Sequence, residues 1–182
     1  MAATPFEERL LREIVGALGA VGLDAVLVGN AAAALRGAPV TTRDIDFFVR
    51  DTPGNRRKIA EVARRLGGLA VTRPGEPLSR MLRLLGGPAE IDFVFALSSR
   101  ARFESVRARA GEVDLGGTTV RVASLADVIA AKRAAGRPKD LAALPVLEQT
   151  ARVLEELARE TRKGSRRGRA PARGGTRRPG RN

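Results

Sequence analysis

The chain has 182 residues with 43% hydrophobic content, enough for one domain with a real core. It contains no Cys, His, Trp or Tyr, which excludes disulfides, thiolate or imidazole nucleophile systems and thiolate zinc sites. Its net charge is +13, yet residues 162–182 hold nine of the 33 basic residues and no acid, which leaves 24 basic against 20 acidic residues elsewhere.

In chain order, the first pattern is an amphipathic helix over 6–20, with Phe6, Leu10, Leu11, Ile14, Val15 and Leu18 on one stripe. No basic segment leads into an apolar one there, and no stretch reaches roughly 18 uninterrupted apolar residues. A cytoplasmic protein with no membrane partner is expected. "DAVLVG" (24–29) reads as a short strand, and "NAAAALRG" as a small-residue helix stopped by Gly37. A second strand covers 45–50, and a helix runs through 53–68 between Pro53-Gly54 and Gly67-Gly68. "LAVTR" reads as a strand, and "SRMLRLL" (79–85) with "AEIDFVFAL" (89–97) as a hairpin. A helix over 102–110 precedes two short strands around Gly116-Gly117. "SLADVIAAKRAAG" (124–136) is a helix with a Ser cap and a Gly stop. Pro138 opens a last helical segment to about residue 160, which Pro145 should kink or divide. The order predicts a mixed α/β (α+β) fold with hairpins, and not a doubly wound dinucleotide fold.

The second strand opens with two acids, Asp44 and Asp46. Strand side chains alternate, so both point one way while Ile45 points the other. "AEIDFVF" repeats the pattern, with Glu90 and Asp92 opposite Ile91, Phe93 and Phe95. If the two strands are neighbours, Asp92 completes a cluster of three carboxylates. Such a cluster suits metal-dependent phosphoryl transfer, in which divalent ions activate an attacking hydroxyl and stabilise the leaving pyrophosphate. With no His or Cys available, hard oxygen-ligated Mg2+ or Mn2+ is favoured over zinc. The structural alternative is that the acidic pair caps the strand or binds Arg side chains. Upstream, a strand ending at Gly29 feeds straight into a helix, whose N-terminal N–H groups suit an anion. Asn30 is either a nucleotide contact or that helix's cap.

"VLVGNAAAALRGAPVTTRDIDFFV" resembles the first motif of nucleotidyltransferase-fold proteins, most closely the small bacterial group of AbiEii-type toxins and minimal nucleotidyltransferases. "AEIDFVF" resembles the strand of the third carboxylate, and "LADVIAAKRAAGRPKDLAAL" a later Lys-x-x-x-Gly/Ala-Arg-x-Lys-Asp segment. Together the motifs cover roughly residues 20–150. The resemblance implies a nucleotidyltransferase-like domain over 1–160, with a mixed sheet flanked by helices and a C-terminal helical segment, and a disordered basic tail over 161–182. Asp44, Asp46 and Asp92 would be the catalytic metal ligands. Gly29, Asn30, Arg43, Lys132, Arg137, Lys139 and Asp140 would hold the nucleotide. Two departures stand out: Asn30 replaces a Gly or Ser, and Thr41, Thr42 and Arg43 replace Arg-x-Thr-x.

The implied activity moves a nucleoside monophosphate from an NTP to an acceptor hydroxyl, with Mg2+ or Mn2+ as cofactor. Acceptors include RNA or tRNA, a protein side chain or an aminoglycoside. The basic tail favours RNA. A toxin paired with an antitoxin protein is one setting the resemblance implies. The alternative is an inactive nucleotidyltransferase fold that binds RNA.

Overall fold

The computed structural model describes residues 5–73 and 80–167. The elements are α1 (Pro5–Ala20), β1 (Val26–Val28), α2 (Gly29–Leu35), β2 (Asp44–Phe48), α3 (Pro53–Arg65), β3 (Ala70–Thr72) and β4 (Met81–Leu85). They continue with β5 (Glu90–Val94), α4 (Phe103–Arg109), β6 (Gly111–Asp114), β7 (Thr119–Val122), α5 (Leu125–Ala135) and α6 (Pro138–Arg167). The strands form one mixed sheet in the order β3-β4-β5-β2-β1-β7-β6. The local α/β pattern of the sequence is therefore the pattern of the fold.

Two pairings position the centre of the molecule. β4 and β5 form the expected antiparallel hairpin, and β5 returns parallel to β2. Register places Ile45 beside Ile91 and Phe47 beside Phe93 on one face. Phe47 and Phe93 are fully buried and stacked with centroids 5.9 Å apart. Leu82 and Leu84 of β4 join the same face, opposite Phe93 and Ile91. This apolar face is what fixes the register, because a one-residue slip would send every one of these side chains to the wrong side.

The helix boundaries follow ordinary capping chemistry. Thr52 Oγ1 accepts from Asn55 N at 3.1 Å, with Pro53 at the first turn of α3. Ser124 Oγ accepts from Asp127 N at the start of α5, and Gly136 closes that helix at φ 64°. α2 has no side-chain cap: its cap residue is Val28. Asn30 lies inside the helix, so its reading as the cap is corrected. The helix begins one residue earlier than expected, at Gly29.

Pro145 does not divide the last helix, which runs unbroken through it to Arg167. The helix therefore extends past residue 160 into the stretch read as tail. Residues 168–182, the rest of that tail, lie outside the described residues, as does Ser79 of the predicted β4 segment. No helix among the described residues is long and apolar enough to cross a membrane.

Candidate active site

The face of the sheet opposite Phe47 and Phe93 carries the acids. Parallel register sets Asp44 beside Glu90 and Asp46 beside Asp92. The sequence alternation thus becomes four carboxylates in two rows on two adjacent strands. Thr42 fixes the entry to the first row. Its Oγ1 accepts from Asp44 N at 3.1 Å and donates to Asp44 O at 2.9 Å. Asp44, Asp46 and Asp92 border a cleft of about 370 Å³ that is also lined by Gly29, Asn30, Arg83, Lys132, Arg137, Lys139 and Asp140.

Gly29 is required where it stands. Its φ of +67° lies in the left-handed region, and a Cβ there would run into Asp46 Oδ2. The tight β1-to-α2 turn and the second aspartate therefore depend on each other. Asn30 donates Nδ2 to Thr41 O at 3.4 Å, while its buried Oδ1 has no partner among the described residues.

Charge crowding marks Asp46. Burial raises its pKa from 3.8 to about 6, with Asp92 and Asp44 adding to the rise; Arg83 and Lys132 act against it. Asp92 is 3% exposed, and its charge is met from β4. Arg83 stands directly opposite Asp92 in antiparallel register. Its Nε donates to Oδ1 and its Nη2 to Oδ2, both at 2.6 Å, and Nη1 reaches Glu90 Oε2 at 2.7 Å. The bidentate bond holds the Arg83 pKa above its ordinary value.

A further part of the cleft lining comes from the junction of α5 and α6. Asp140, 2% exposed, accepts from Lys132 Nζ at 3.0 Å and from Arg137 Nε at 2.5 Å. Burial works to raise the Asp140 pKa, but the bonds from Arg137 and Lys132 outweigh it and hold the carboxyl below its ordinary value. One buried acid thus ties two cationic side chains to the cleft edge. Lys139 lines the same cleft.

The structure brings together nine of the ten residues singled out from sequence. Arg43 is the exception. It is exposed, stands one residue before β2, out of phase with Asp44 and Asp46, and does not line the cleft. Sequence reasoning missed Arg83 and Asp127. The alternation of "MLRLL" sets Arg83 on the face away from Leu82 and Leu84, but its pairing with Asp92 is a matter of register. Asp127 also lines the cleft, but it is spent on structure. It accepts from Ser124 Oγ at 2.6 Å and from Arg109 Nη2 at 2.5 Å.

Asp44 and Asp46 are hard oxygen donors on one face, and the repulsion from Asp92 and Asp44 that adds to burial in raising the Asp46 pKa is the kind a cation relieves. This pair fits a divalent cation. Among the described residues no group of three acids converges as a metal site, and both oxygens of Asp92 are engaged by Arg83.

A seven-stranded mixed sheet with paired aspartates beside a Gly turn belongs to the nucleotidyltransferase fold, and known structures agree. The solution structure of the antibiotic-resistance factor ANT(2'')-Ia matches with a TM-score of 0.59 at 18% identity, over 91% of this chain and 98% of that one. A candidate nucleotidyltransferase from Thermotoga maritima matches with a TM-score of 0.56 at 20% identity, over 86% and 95% of the two chains. Crystalline ANT(2'')-Ia in complex with adenylyl-2''-tobramycin matches with a TM-score of 0.56 at 19% identity, over 86% and 98%. A search of curated proteins returns no match. Residues 7–165 match the family described as "Nucleotidyl transferase of unknown function (DUF2204)", and the chain belongs to that family.

Proposed function

We propose that this protein is a divalent-metal-dependent nucleotidyltransferase that moves a nucleoside monophosphate from an NTP to an acceptor hydroxyl. The observation that carries this reading is the register of β2 and β5, which sets Asp46 beside Asp92 on a cleft face that also holds Asp44. Asp44 and Asp46 would hold Mg2+ or Mn2+, and Asp92 is the third acid of the set. The cation, when bound, supplies charge stabilisation for the triphosphate and lowers the pKa of a hydroxyl bound to it.

The chain's own residues do the rest. Gly29 lets the backbone pass close to Asp46, where a Cβ would collide with its carboxylate. Lys132 and Arg137, held by Asp140, put positive charge in the cleft that the acids line, and that charge would stabilise a leaving pyrophosphate. Lys139 adds to the same charge. Ile45, Phe47, Ile91 and Phe93 anchor the two acidic strands from behind, so the carboxylates need little reorganisation.

RNA, including tRNA, is the favoured acceptor on the basic segment at 162–182. A small polyhydroxylated acceptor is the second reading, supported by the likeness to ANT(2'')-Ia over 98% of that protein's length. Incubation with each α-labelled NTP, Mg2+ or Mn2+, and either total RNA or an aminoglycoside separates the two. Label should appear on one acceptor and disappear in Asp46→Asn. Retention of RNA on a gel with no label transfer under any condition would favour an inactive RNA-binding fold.

A further inference from the structure

Arg83 stands where a simple strand pair would not need a cation. β4 sends Leu82 and Leu84 into the core and Arg83 to the acidic face. There its planar fork takes both oxygens of Asp92, while the third nitrogen takes Glu90. Asp92 has 4% of its side chain exposed and Arg83 28%, so the pair is sheltered from water on the carboxylate side. A guanidinium in this geometry is a strong, directional counter-ion. It also puts a fixed positive charge beside the third acid of the set.

We propose that Arg83 is a positioning residue that holds Asp92 and competes with a divalent cation for it. Asp44 and Asp46 then provide the tighter cation position, and Asp92 is shared between the cation and Arg83. This inference rests on the metal-dependent reading of the cleft. It adds that the cation affinity of the site is set from β4, by a residue outside the aspartate pair. A purely structural salt bridge has a different signature: its loss would lower stability equally with and without cation and leave cation affinity unchanged.

The test is Mn2+ binding to the full chain, followed by electron paramagnetic resonance, with thermal melting in EDTA and in Mn2+ alongside. In Arg83→Gln, Mn2+ affinity should rise by about 10-fold, equivalent to about 1.4 kcal/mol. The melting temperature should fall in EDTA, because Asp92 loses its counter-ion, and Mn2+ should restore more of it than it adds to the wild type. Arg83→Lys keeps the charge without the fork and should show a smaller gain in affinity, about 3-fold. It also serves as the readout if Arg83→Gln fails to fold. Wild-type binding with unchanged or weaker Mn2+ affinity in the variants overturns the role of Arg83 and leaves the metal site standing. No Mn2+ binding by the wild type or either variant removes the metal site and this inference together.

Discussion

At the scale of single residues, the cleft is organised around Asp46. The same burial that keeps this carboxylate still makes its charge costly, and Asp92 and Asp44 add repulsion. Its pKa is about 6 in the folded chain against 3.8 for the free group. Between about pH 4 and 6 the native state therefore binds more protons than the unfolded one, and stability falls as pH rises. The loss is about 3 kcal/mol over that window and levels off above it. Urea titrations in EDTA from pH 4 to 8 should show this decline, and Asp46→Asn should flatten it while stabilising the protein at pH 7. Added Mg2+ should oppose the decline in the wild type only. Gly29 is coupled to the same carboxylate. Gly29→Ala combines a left-handed φ with a collision at Asp46 Oδ2, so it should cost about 1–2 kcal/mol of stability. It should also reduce nucleotidyl transfer more than a surface Gly→Ala change such as Gly19→Ala, where a Cβ meets nothing within 4 Å.

At the scale of elements, the site is a product of strand pairing and of one helix junction. The aromatic pair behind the acids holds β2 against β5, and Phe93→Ala should destabilise the fold by about 3–5 kcal/mol in chemical denaturation. The α5–α6 junction depends on Asp140. Removing it by Asp140→Ala leaves Lys132, 11% exposed, and Arg137 without their shared partner. That change should cost about 3–5 kcal/mol and raise the KM for NTP, measured by steady-state assay. The strands and most helix starts were legible because alternation and capping act locally: Asp44-x-Asp46, Ser124 and Gly136 announce themselves in the sequence. Arg83 was not read, because its meaning lies in cross-strand register, which a hairpin prediction leaves open by a residue. Of the two readings of Asn30, the helix cap falls away because the chain enters the helix at Gly29 itself, with Val28 in the cap position. The unbroken α6 escaped prediction for a tertiary reason. Pro145 removes one helical hydrogen bond, but the helix is held along α5, where Arg133 Nη2 meets Glu148 Oε1 at 2.6 Å and Leu147 is fully buried.

At the scale of the whole molecule, both faces of the seven-stranded sheet carry core residues, Phe47 and Phe93 on one and Val26 and Phe48 on the other, and part of the second face makes the cleft. This arrangement explains why a chain without His or Cys still carries the parts for group transfer. Asp44, Asp46 and Asp92 stand on the strands, Arg83, Lys132, Arg137 and Lys139 come from β4 and the α5–α6 region, and Gly29 lines the same cleft. The basic segment adds a separate, electrostatic contribution to partner binding under the RNA reading. Deleting residues 168–182, which removes five arginines and no acid, should weaken RNA retention and flatten its dependence on salt in gel-shift titrations. The central claim is that the aspartate face supports metal-dependent attack on an NTP. Its most direct measurement is pyrophosphate release from each NTP with Mg2+ or Mn2+ and a mixed pool of RNA and aminoglycoside acceptors. The account predicts release by the wild type that stops on chelation and falls at least about 100-fold in Asp46→Asn. Release that persists undiminished in Asp46→Asn, or no release with any NTP and either metal, would contradict it.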